Sequence, residues 1–399
     1  MKTFKIVTFG CRVNQAESRL MGEVLVKSLN CRPVKNQQKT DLVIINTCCV
    51  TQRAEKEVRQ AISKVRRKNP GCFLVVCGCL INKIRNEKIS NKKVNLQSLK
   101  KADLLLTNEQ KKNFTCFGPI VDPRSWTSNR NFKGDDRQGS GYRDKYAESK
   151  KALVKIQTGC DNFCTYCLVP YVRGRSKSRP AEEIIEEIQG LIKQGIEEVV
   201  LTGVDIASFK FQIINDKLQI KKKLQIQNTK NNLVQLVKLI LKTKIKRISF
   251  GSISLGVFEG DEFISLSRSW SGRLTTHFHI PLQSGSDSVL KRMKRPYQTE
   301  EFINKIEELK EKIRGFSFST DVIVGFPGET RKEFEQTVKT VKKLKEILGD
   351  SFTHVHVFRY SPREGTVAAK KAGQKGWEKV PSQEKKRRSK VIREIEDCT

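Results

Sequence analysis

The chain has 399 residues, of which 77 are Lys or Arg and 43 are Asp or Glu, giving a formal net charge of +34. At roughly 150 residues per domain, this length provides for two or three domains. Hydrophobic residues make up 37% of the chain, which excludes a disordered polymer, and the apolar runs are too short to cross a membrane. The first residues carry no signal-peptide pattern, so we expect a cytoplasmic protein with no membrane contact.

The net positive charge points to a polyanionic partner, because Lys and Arg side chains that neutralise phosphates release counterions. Compositional drift toward Lys, Asn and Ile is the alternative explanation, and the segment 211–232 has that composition. Twelve cysteines at close spacings in a long chain without an export signal favour metal ligation in a reducing compartment over disulfides.

The first 120 residues alternate between strand and helix patterns. Short apolar runs predict strands at 5–9, 41–46, 73–77 and 103–106, and helical spacing predicts helices at 17–29 and 53–67. This order predicts a parallel sheet covered by helices.

Residues 121–150 are polar and rich in Gly, Ser and Asp, and we predict a linker there. From 151 to 372 six strand patterns alternate with helices, which predicts a partial (β/α)6 barrel. The strands are expected at 153–157, 198–204, 247–254, 277–282, 316–324 and 353–358. Residues 209–232 are predicted to be a low-complexity insertion, and 373–399 a charged, helical tail.

Three cysteines follow the first predicted barrel strand with the spacing C-x3-C-x2-C: Cys160, Cys164 and Cys167. Three thiolates can hold three irons of a [4Fe–4S] cluster and leave the fourth iron open for a substrate or cofactor. A zinc site would need a fourth ligand, and no His or Cys follows nearby in the sequence.

The same run, with Tyr166 before the third cysteine, resembles the radical S-adenosylmethionine (SAM) enzymes. Its continuation through Arg173 resembles the methylthiotransferase branch, as do HIPLQSGSDSVLKRMKRPY (279–297), TDVIVGFPGET (320–330) and YSPREGT (360–366). The resemblance implies that the open iron binds SAM, which is then cleaved to a 5′-deoxyadenosyl radical. It also implies a Rossmann-like N-terminal methylthiotransferase domain at 1–120, followed by the radical SAM core.

Cys11, Cys48 and Cys79 each follow one of the first three predicted strands. Because neighbouring parallel strands end at one edge of a sheet, the three thiols should converge there and suit a second cluster. The alternative is that they are buried small apolar side chains. Methylthiotransferases carry a second [4Fe–4S] cluster on such a trio, and GCRVNQAES, NTCCVT and CGC resemble their motifs. Cys49 and Cys77 are the competing neighbours, and Cys77 lies within a strand pattern.

The resemblance further implies that two SAM molecules are used per turnover, one as methyl donor and one as radical source. An electron donor and a sulfur source are therefore expected as partners, with tRNA as substrate. The implied SAM contacts, carried over position by position, are Tyr166, Arg173, Gly203, Asp205, Gln283, Ser284 and Gly325.

Two departures from the family pattern are visible. Ser254 stands where the family usually has a Glu, and the chain ends at Thr399, so we expect the C-terminal nucleic-acid-binding β-barrel (TRAM) to be absent. Among the substrate groups of the family, GCRVNQAES most resembles the group that acts on N6-threonylcarbamoyladenosine at position 37 of tRNA, and the resemblance implies that substrate first. Isopentenyladenosine-37 ranks second and a ribosomal-protein aspartate third. A non-catalytic RNA-binding protein stays open as the last alternative.

Overall fold

The computed structural model describes residues 1–34, 40–86, 97–112, 150–214 and 231–397. The chain divides into two compact units, one of residues 1–149 with 171–174 and one of residues 150–170 with 175–399. All but the last residue of the predicted linker at 121–150, and residues 215–230 of the predicted insertion at 209–232, lie outside the described residues. Among the described residues, no helix has the length and apolar character that crossing a membrane requires.

The first unit contains a five-stranded sheet in the order β2-β1-β3-β4-β5, in which every pairing is parallel. Its strands are β1 (Thr3–Thr8), β2 (Arg32–Pro33), β3 (Leu42–Thr47), β4 (Phe73–Gly78) and β5 (Leu104–Leu106). Its helices are α1 (Arg12–Lys27), α2 (Gln52–Lys68), α3 (Cys79–Arg85) and α4 (Asn108–Lys112). The predicted parallel sheet is confirmed, and the short strand β2 and helices α3 and α4 are additions to it.

The hydrophobic core of this unit lies between the sheet and the helices that cover it. Every residue of β3 is buried, as expected for the central strand of a sheet that is covered on both faces. Met21 and Leu25 of α1 pack against the sheet, and Val58 and Ile62 are the buried stripe of α2. Each fully buried aliphatic side chain of this kind contributes about 1.5–3 kcal/mol. This packing holds the strands in place, and with them the residues that follow the end of each strand.

The second unit has six strands that follow one another in sequence order, in two parallel three-stranded sheets. The strands are β6 (Lys151–Lys155), β9 (Glu198–Thr202), β10 (Arg247–Phe250), β11 (His277–His279), β12 (Ser317–Val324) and β13 (Phe352–Arg359), and a small antiparallel pair is β7 (Gln157–Thr158) with β8 (Lys177–Ser178). Parallel bridges Ile248–Leu274 and Ser252–His279 join the two sheets. Within the described residues no pairing joins the first strand to the sixth, so the arrangement agrees with an open, partial barrel.

Helices cover the outer face of these strands. They are α5 (Val169–Arg173, whose last residues belong to the first unit), α6 (Ala181–Lys193), α7 (Asn232–Leu241), α8 (Glu262–Ser269), α9 (Asp287–Met293), α10 (Thr299–Lys312), α11 (Arg331–Leu348), α12 (Val367–Lys371) and α13 (Ser382–Asp397). Helix α11 begins with a reciprocal capping box between Thr330 and Glu333, which satisfies two backbone N–H groups. The predicted charged tail is helix α13, and its Ile392 and Ile395 are part of the core of this unit.

Candidate functional site

Cys11, Cys48 and Cys79 lie at the carboxyl ends of three adjacent strands. Cys48 and Cys79 follow β3 and β4 directly, and Cys11 follows β1 after a short turn. Because β1, β3 and β4 are neighbours in a parallel sheet, these three residues share one edge of it. The structure thus brings the three cysteines to the same end of the sheet, and their binding of a cluster stays a prediction. Of the two competing neighbours, Cys77 is fully buried in the core of the unit, and Cys49 is fully buried as well.

The turn before Cys11 is possible only because residue 10 is glycine. Gly10 has φ +99°, and a Cβ atom there would lie 2.5 Å from Cβ and 2.7 Å from Sγ of Cys48. Gly78, before Cys79, has φ +105° and would place a Cβ 2.8 Å from the Thr47 carbonyl oxygen. Both positions therefore exclude any side chain, which lets the cysteine loops approach one another closely.

N–H groups point at the sulfur atoms of this site. The Val50 backbone N–H donates to Cys48 Sγ at 3.5 Å, and the Asn108 side-chain amide donates to Cys79 Sγ at 3.6 Å. Burial raises the pKa of the Cys48 thiol to about 11, although the Val50 N–H and Arg173 oppose that rise. Donors of this kind stabilise thiolates, the form that binds iron, so the donor set fits an iron–sulfur cluster.

A buried polar network connects the loops that carry these cysteines. The Asn14 amide donates to the Phe9 carbonyl at 2.7 Å and to the Thr47 carbonyl at 2.9 Å. Phe9 directly precedes the Gly10–Cys11 turn, and Thr47 directly precedes Cys48. The Asn14 side-chain oxygen accepts from Arg173. Arg173 also forms a two-point ion pair with Glu17, at 3.0 and 3.2 Å.

Lys111 completes this network. Its ammonium donates to Glu17 at 2.7 Å and to the Asn46 side-chain oxygen at 3.0 Å. The side chains of Lys111, Glu17 and Arg173 are 2%, 6% and 2% exposed, so three charged groups are almost completely removed from water here. Burial of that kind is costly unless every charge is paired and hydrogen-bonded.

Cys160, Cys164 and Cys167 lie on one loop after β7 in the second unit. The backbone N–H of Cys167 donates to the Cys164 carbonyl at 2.9 Å, and Val169 N–H donates to Cys167 Sγ at 3.4 Å. Burial raises the pKa of the Cys167 thiol to about 12 and also raises that of Cys160, with the neighbouring cysteines adding to the effect. The three thiols are therefore close enough to affect one another's pKa.

Arg295 lies beside this loop. Its guanidinium donates to Cys164 Sγ at 3.7 Å and to the Tyr297 hydroxyl at 3.1 Å, and it stacks on the Tyr297 ring. Burial would lower the pKa of Arg295, but Tyr297, Tyr166 and Cys164 raise it above its usual value. The site thus contains a permanent cation next to one of its thiols.

All ten cysteines in the described part of the chain are free thiols. In that same part, no three His, Cys, Asp or Glu side chains already form a site for a single metal ion. Such a site differs from a cubane, in which each thiolate binds a different iron and the ligands lie farther apart. Cluster binding by the two trios therefore stays a prediction.

Comparisons with known proteins agree with this geometry. Residues 154–341 match the Radical SAM superfamily, and residues 3–100 match the Uncharacterized protein family UPF0004. The threonylcarbamoyladenosine tRNA methylthiotransferase MtaB of Rickettsia prowazekii is 33% identical over 392 residues, covering 98% of this chain and 82% of that protein. The chain belongs to the radical SAM methylthiotransferase family.

A second relative carries a different name. The tRNA-2-methylthio-N(6)-dimethylallyladenosine synthase of Moorella thermoacetica is 32% identical over 403 residues, covering 99% of this chain and 83% of that protein. Among solved structures, the radical SAM methyltransferase TsrM from Kitasatospora setae is similar with a TM-score of 0.59 at 13% identity, covering 94% of this chain and 76% of that one. At that identity the likeness concerns the fold alone.

In this methylthiotransferase, three of the predicted SAM contacts lie around the Cys160–Cys167 loop. Gly203 follows β9, and a Cβ there would lie 2.8 Å from Ile206 and 3.0 Å from the Gln157 amide oxygen. Asp205 accepts from Asn162 at 3.0 Å, and burial raises the pKa of its carboxyl group. Tyr166 packs in a small apolar cluster, and burial likewise raises its pKa. Their contact with SAM stays a prediction.

Gln283 and Ser284 differ in what they can offer a ligand. Gln283 adopts φ +68°, a left-handed conformation that is uncommon for a residue with a side chain. Ser284 is fully buried, and its hydroxyl hydrogen-bonds Thr337 of α11 at 3.3 Å. Ser284 is thus engaged in packing α11, and contacts of Gln283 and Ser284 with SAM stay predictions.

The surroundings of Gly325 include the last helix, and its contact with SAM stays a prediction. A Cβ at Gly325, which has φ +71°, would lie 2.3 Å from Cγ of Lys385 on α13, so this turn is covered by the last helix. Glu329 of the same turn pairs with Arg388 of α13 at 2.7 Å. The GFPGE turn therefore contacts and holds α13. The polar, charged sequence of this helix gave no sign that it packs there.

The partners of Arg173 lie in the first unit, and its expected contact with SAM stays a prediction. Its guanidinium is bonded to Glu17 and Asn14, and its neighbouring sulfur atoms are those of Cys11, Cys48 and Cys79. Arg173 thus belongs to the three-cysteine site of the first unit, although it follows Cys167 closely in sequence. The closeness of Arg173 to Cys167 in the sequence suggested that it belongs to the Cys160–Cys167 site. Its ion pair with Glu17 could be found only from the fold.

Sequence reasoning missed Asn14, Asn108 and Arg295 as site residues. Asn14 stands within the GCRVNQ motif and Arg295 within KRMKRPY, so both were inside recognised runs without an assigned role. Asn108 starts α4 outside any such run, and nothing in the sequence pointed to its contact with Cys79.

Proposed function

We propose that the chain converts N6-threonylcarbamoyladenosine at position 37 of tRNA into its 2-methylthio derivative. The observation that carries the proposal is the presence of two separate three-cysteine sites in a chain of the methylthiotransferase family. Cys160, Cys164 and Cys167 would hold one [4Fe–4S] cluster, and Cys11, Cys48 and Cys79 the other. When bound, these clusters and SAM supply the radical, the methyl group and the sulfur that no amino-acid side chain can provide.

The residues around the two trios prepare them for negative charge. Val50 and Asn108 donate to sulfur in the first unit, and Val169 and Arg295 do so in the second. Hydrogen bonds to ligand sulfurs, together with burial, set the stability and reduction potential of a cluster. The chain therefore supplies both ligands and the groups that tune them.

SAM binding is assigned to the second unit. Asp205 presents a carboxylate next to the cysteine loop, as an acceptor for an ammonium group. The carboxylate accepts from Asn162, and the Asp205 backbone N–H donates to the Gln157 side-chain oxygen. Gly203 lets Ile206 and Gln157 pack closely against the strand end, and Tyr166 packs in a small apolar cluster. An electron donor must reduce the cluster, and a sulfur source must supply the transferred atom.

The choice of adenosine derivative rests on the first motif and on charge. GCRVNQAES is similar to the motif of the threonylcarbamoyladenosine group, and a net charge of +34 favours RNA over a protein substrate. Relatives named for the dimethylallyl form are as similar as those named for the threonylcarbamoyl form. The dimethylallyl (isopentenyl) derivative is therefore the second candidate.

Mass spectrometry of tRNA nucleosides tests the proposal. The chain is expressed in a host that lacks its own position-37 methylthiotransferases, with a Cys164→Ala variant as control. We expect 2-methylthio-N6-threonylcarbamoyladenosine from the wild type and none from the control. The methylthio group on isopentenyladenosine instead would keep the chemistry and overturn the substrate assignment. No methylthio nucleoside from protein that holds both clusters would overturn the proposed function.

A further inference from the structure

The exposed side of helix α2 in the first unit carries positive charge along its length. Beyond the first residue of the helix, its exposed positions are Arg53, Lys56, Gln60, Lys64, Arg67 and Lys68. Residues three or four positions apart lie on the same side of an α-helix, so these side chains form one continuous surface. All but the glutamine are cations, and we call these five cations the basic face of α2.

The opposite side of α2 determines the direction of this face. Val58 and Ile62 are buried in the first unit, and Glu55 is also buried and forms an ion pair with Lys83 of α3 at 2.9 Å. The helix is therefore anchored through its apolar side and through one of its two acidic residues. That acidic residue points away from the basic face and leaves it exposed.

The basic face is poorly neutralised by acidic side chains. Glu57, the second acidic residue of α2, pairs with Arg53 at 2.7 Å, and an ion pair so exposed to solvent is weak. Within the described parts of the chain, the other four cations of the face form no ion pair. Most of the positive charge on this face thus stays available to a partner.

Neighbouring lysines add to the positive potential at this surface. Burial lowers the pKa of Lys5 on β1, and the charges of Lys64 and Lys68 lower it further. On another side of the helix, the Lys101 ammonium donates to the Ser63 hydroxyl at 3.5 Å. Concentrated positive charge attracts a polyanion, because binding its phosphates releases their counterions.

The basic face begins close to the three-cysteine site of the first unit. Thr51, three residues after Cys48, is the N-cap of α2, and its hydroxyl accepts from the Ala54 N–H at 3.1 Å. At a rise of 1.5 Å per residue, the face then extends from Arg53 to Lys68 over about 22 Å. A nucleic acid that presents one base near the cysteines can therefore place neighbouring phosphates along α2.

We propose that the basic face of α2 binds the sugar–phosphate backbone of tRNA. The inference rests on the proposed function, because it takes tRNA as the substrate and adds where that substrate is held. Protein interfaces are enriched in aromatic residues and depleted in Lys, whereas α2, which the structure describes in full, exposes no apolar residue. A helix that lies on a membrane inserts its apolar side, and that side of α2 is buried in the core. Both observations favour RNA as the anionic partner.

The test is the affinity for tRNA as a function of salt concentration. Fluorescence anisotropy follows the binding of labelled tRNA that carries N6-threonylcarbamoyladenosine at position 37 to the full chain with both clusters reconstituted. The test variant removes three charges of the basic face together, by Lys56→Gln, Lys64→Gln and Arg67→Gln. A charge-preserving variant changes the same positions by Lys56→Arg, Lys64→Arg and Arg67→Lys.

The matched control lies on helix α11 of the second unit. Lys332→Gln, Lys339→Gln and Lys343→Gln together remove three exposed lysines of that helix. This control lowers the net charge by the same amount as the test variant and leaves the basic face intact. Since exposed side chains contribute little to folding, all variants should still hold about eight iron atoms per chain, which checks that they are folded.

We expect the test variant to bind tRNA more weakly and with less dependence on salt. Each phosphate contact contributes about 0.7–0.9 to the slope of log affinity against log salt concentration. Three lost contacts should therefore reduce the slope by about 2 to 3, and the affinity at about 0.1 M salt on the order of 100-fold. The charge-preserving variant and the α11 control should bind close to the wild type.

Equal losses in the test variant and the α11 control would show that net charge alone attracts the tRNA, and would overturn the inference. Unchanged affinity in the test variant would also overturn it. In both cases the wild type still binds tRNA, and the proposed function stands. If the wild-type chain with both clusters binds no tRNA, the proposed function itself fails, and the inference fails with it.

Discussion

Arg388, in the last helix, donates to the carboxylate of Glu329 at 2.7 Å, and their side chains are 5% and 0% exposed. Arg388 also donates to the Glu329 backbone carbonyl at 3.0 Å, and the same carboxylate oxygen accepts from the Gly325 N–H. A glycine-rich turn after β12 is thereby joined to α13. The charged end of the chain is for this reason an integral part of the second unit.

Replacing Arg388 should cost far more stability than replacing its neighbour. Arg388→Met leaves the Glu329 carboxylate buried without its cation, and we expect a loss of about 3–5 kcal/mol in the free energy of unfolding. Arg387→Met removes an arginine that is 53% exposed and pairs with Glu384 at 2.7 Å, and it should cost less than about 1 kcal/mol. Urea denaturation measures both, and equal losses would show that the buried pair does not hold α13.

Gly10 should be essential for the first cluster site. In Gly10→Ala, the new Cβ would lie 2.5 Å from Cys48 Cβ at a φ of +99°, so the loops of Cys11 and Cys48 must separate. We expect the iron at this trio to be lost, which reduces the total from about eight to about four atoms per chain. Gly195→Ala is the matched control, because Gly195 has φ +82° with open space around it. A Gly10→Ala protein with full iron would contradict this account of the turn.

The assignment of ligands over their cysteine neighbours can be tested by counting iron. Cys48→Ala should reduce iron by about half, because one of three ligands of a cluster is gone. Cys77→Ala, which changes a buried thiol two residues before Cys79, should keep all of it, since Cys77 packs in the core with Val75 and Leu106. Iron loss in Cys77→Ala with retention in Cys48→Ala would reverse the assignment.

Asp205 provides a test of the SAM site. Asp205→Asn keeps the shape of the side chain and removes its charge, so SAM affinity should fall by about 10- to 100-fold, the value of a hydrogen bond to a charged group. The control is Asp161→Asn, whose carboxylate is 46% exposed and pairs with Arg175 at 3.0 Å. Equilibrium dialysis with labelled SAM on reconstituted protein measures the change. Unaltered affinity in Asp205→Asn would remove this residue from the site.

The positions of strands and helices were largely predictable from the sequence. The run LVIIN has no polar residue before its end, and this marked the buried strand β3 to within a residue. The placement of Cys11, Cys48 and Cys79 followed from it, because a cysteine directly after such a strand must lie at the edge of a parallel sheet. The order of apolar and polar residues within each segment was therefore enough to predict the strands and the cysteines that follow them.

What the sequence did not predict depends on contacts between distant residues. Arg173 and Glu17 are 156 positions apart, and Arg388 and Glu329 are 59 apart. In each case a charged side chain in a polar run looks like solvent-exposed surface until its partner is known. A buried ion pair has no periodicity, so the role of Arg173 and the docking of α13 could come only from the fold.

The central claim is that the two trios divide the reaction between them. The most direct test measures SAM cleavage and tRNA methylthiolation in parallel, on reconstituted Cys11→Ala and Cys164→Ala proteins under anaerobic conditions. Our account predicts that Cys11→Ala still cleaves SAM reductively but adds no methylthio group, whereas Cys164→Ala does neither. Methylthiolated tRNA from Cys11→Ala, or reductive SAM cleavage by Cys164→Ala, would contradict it.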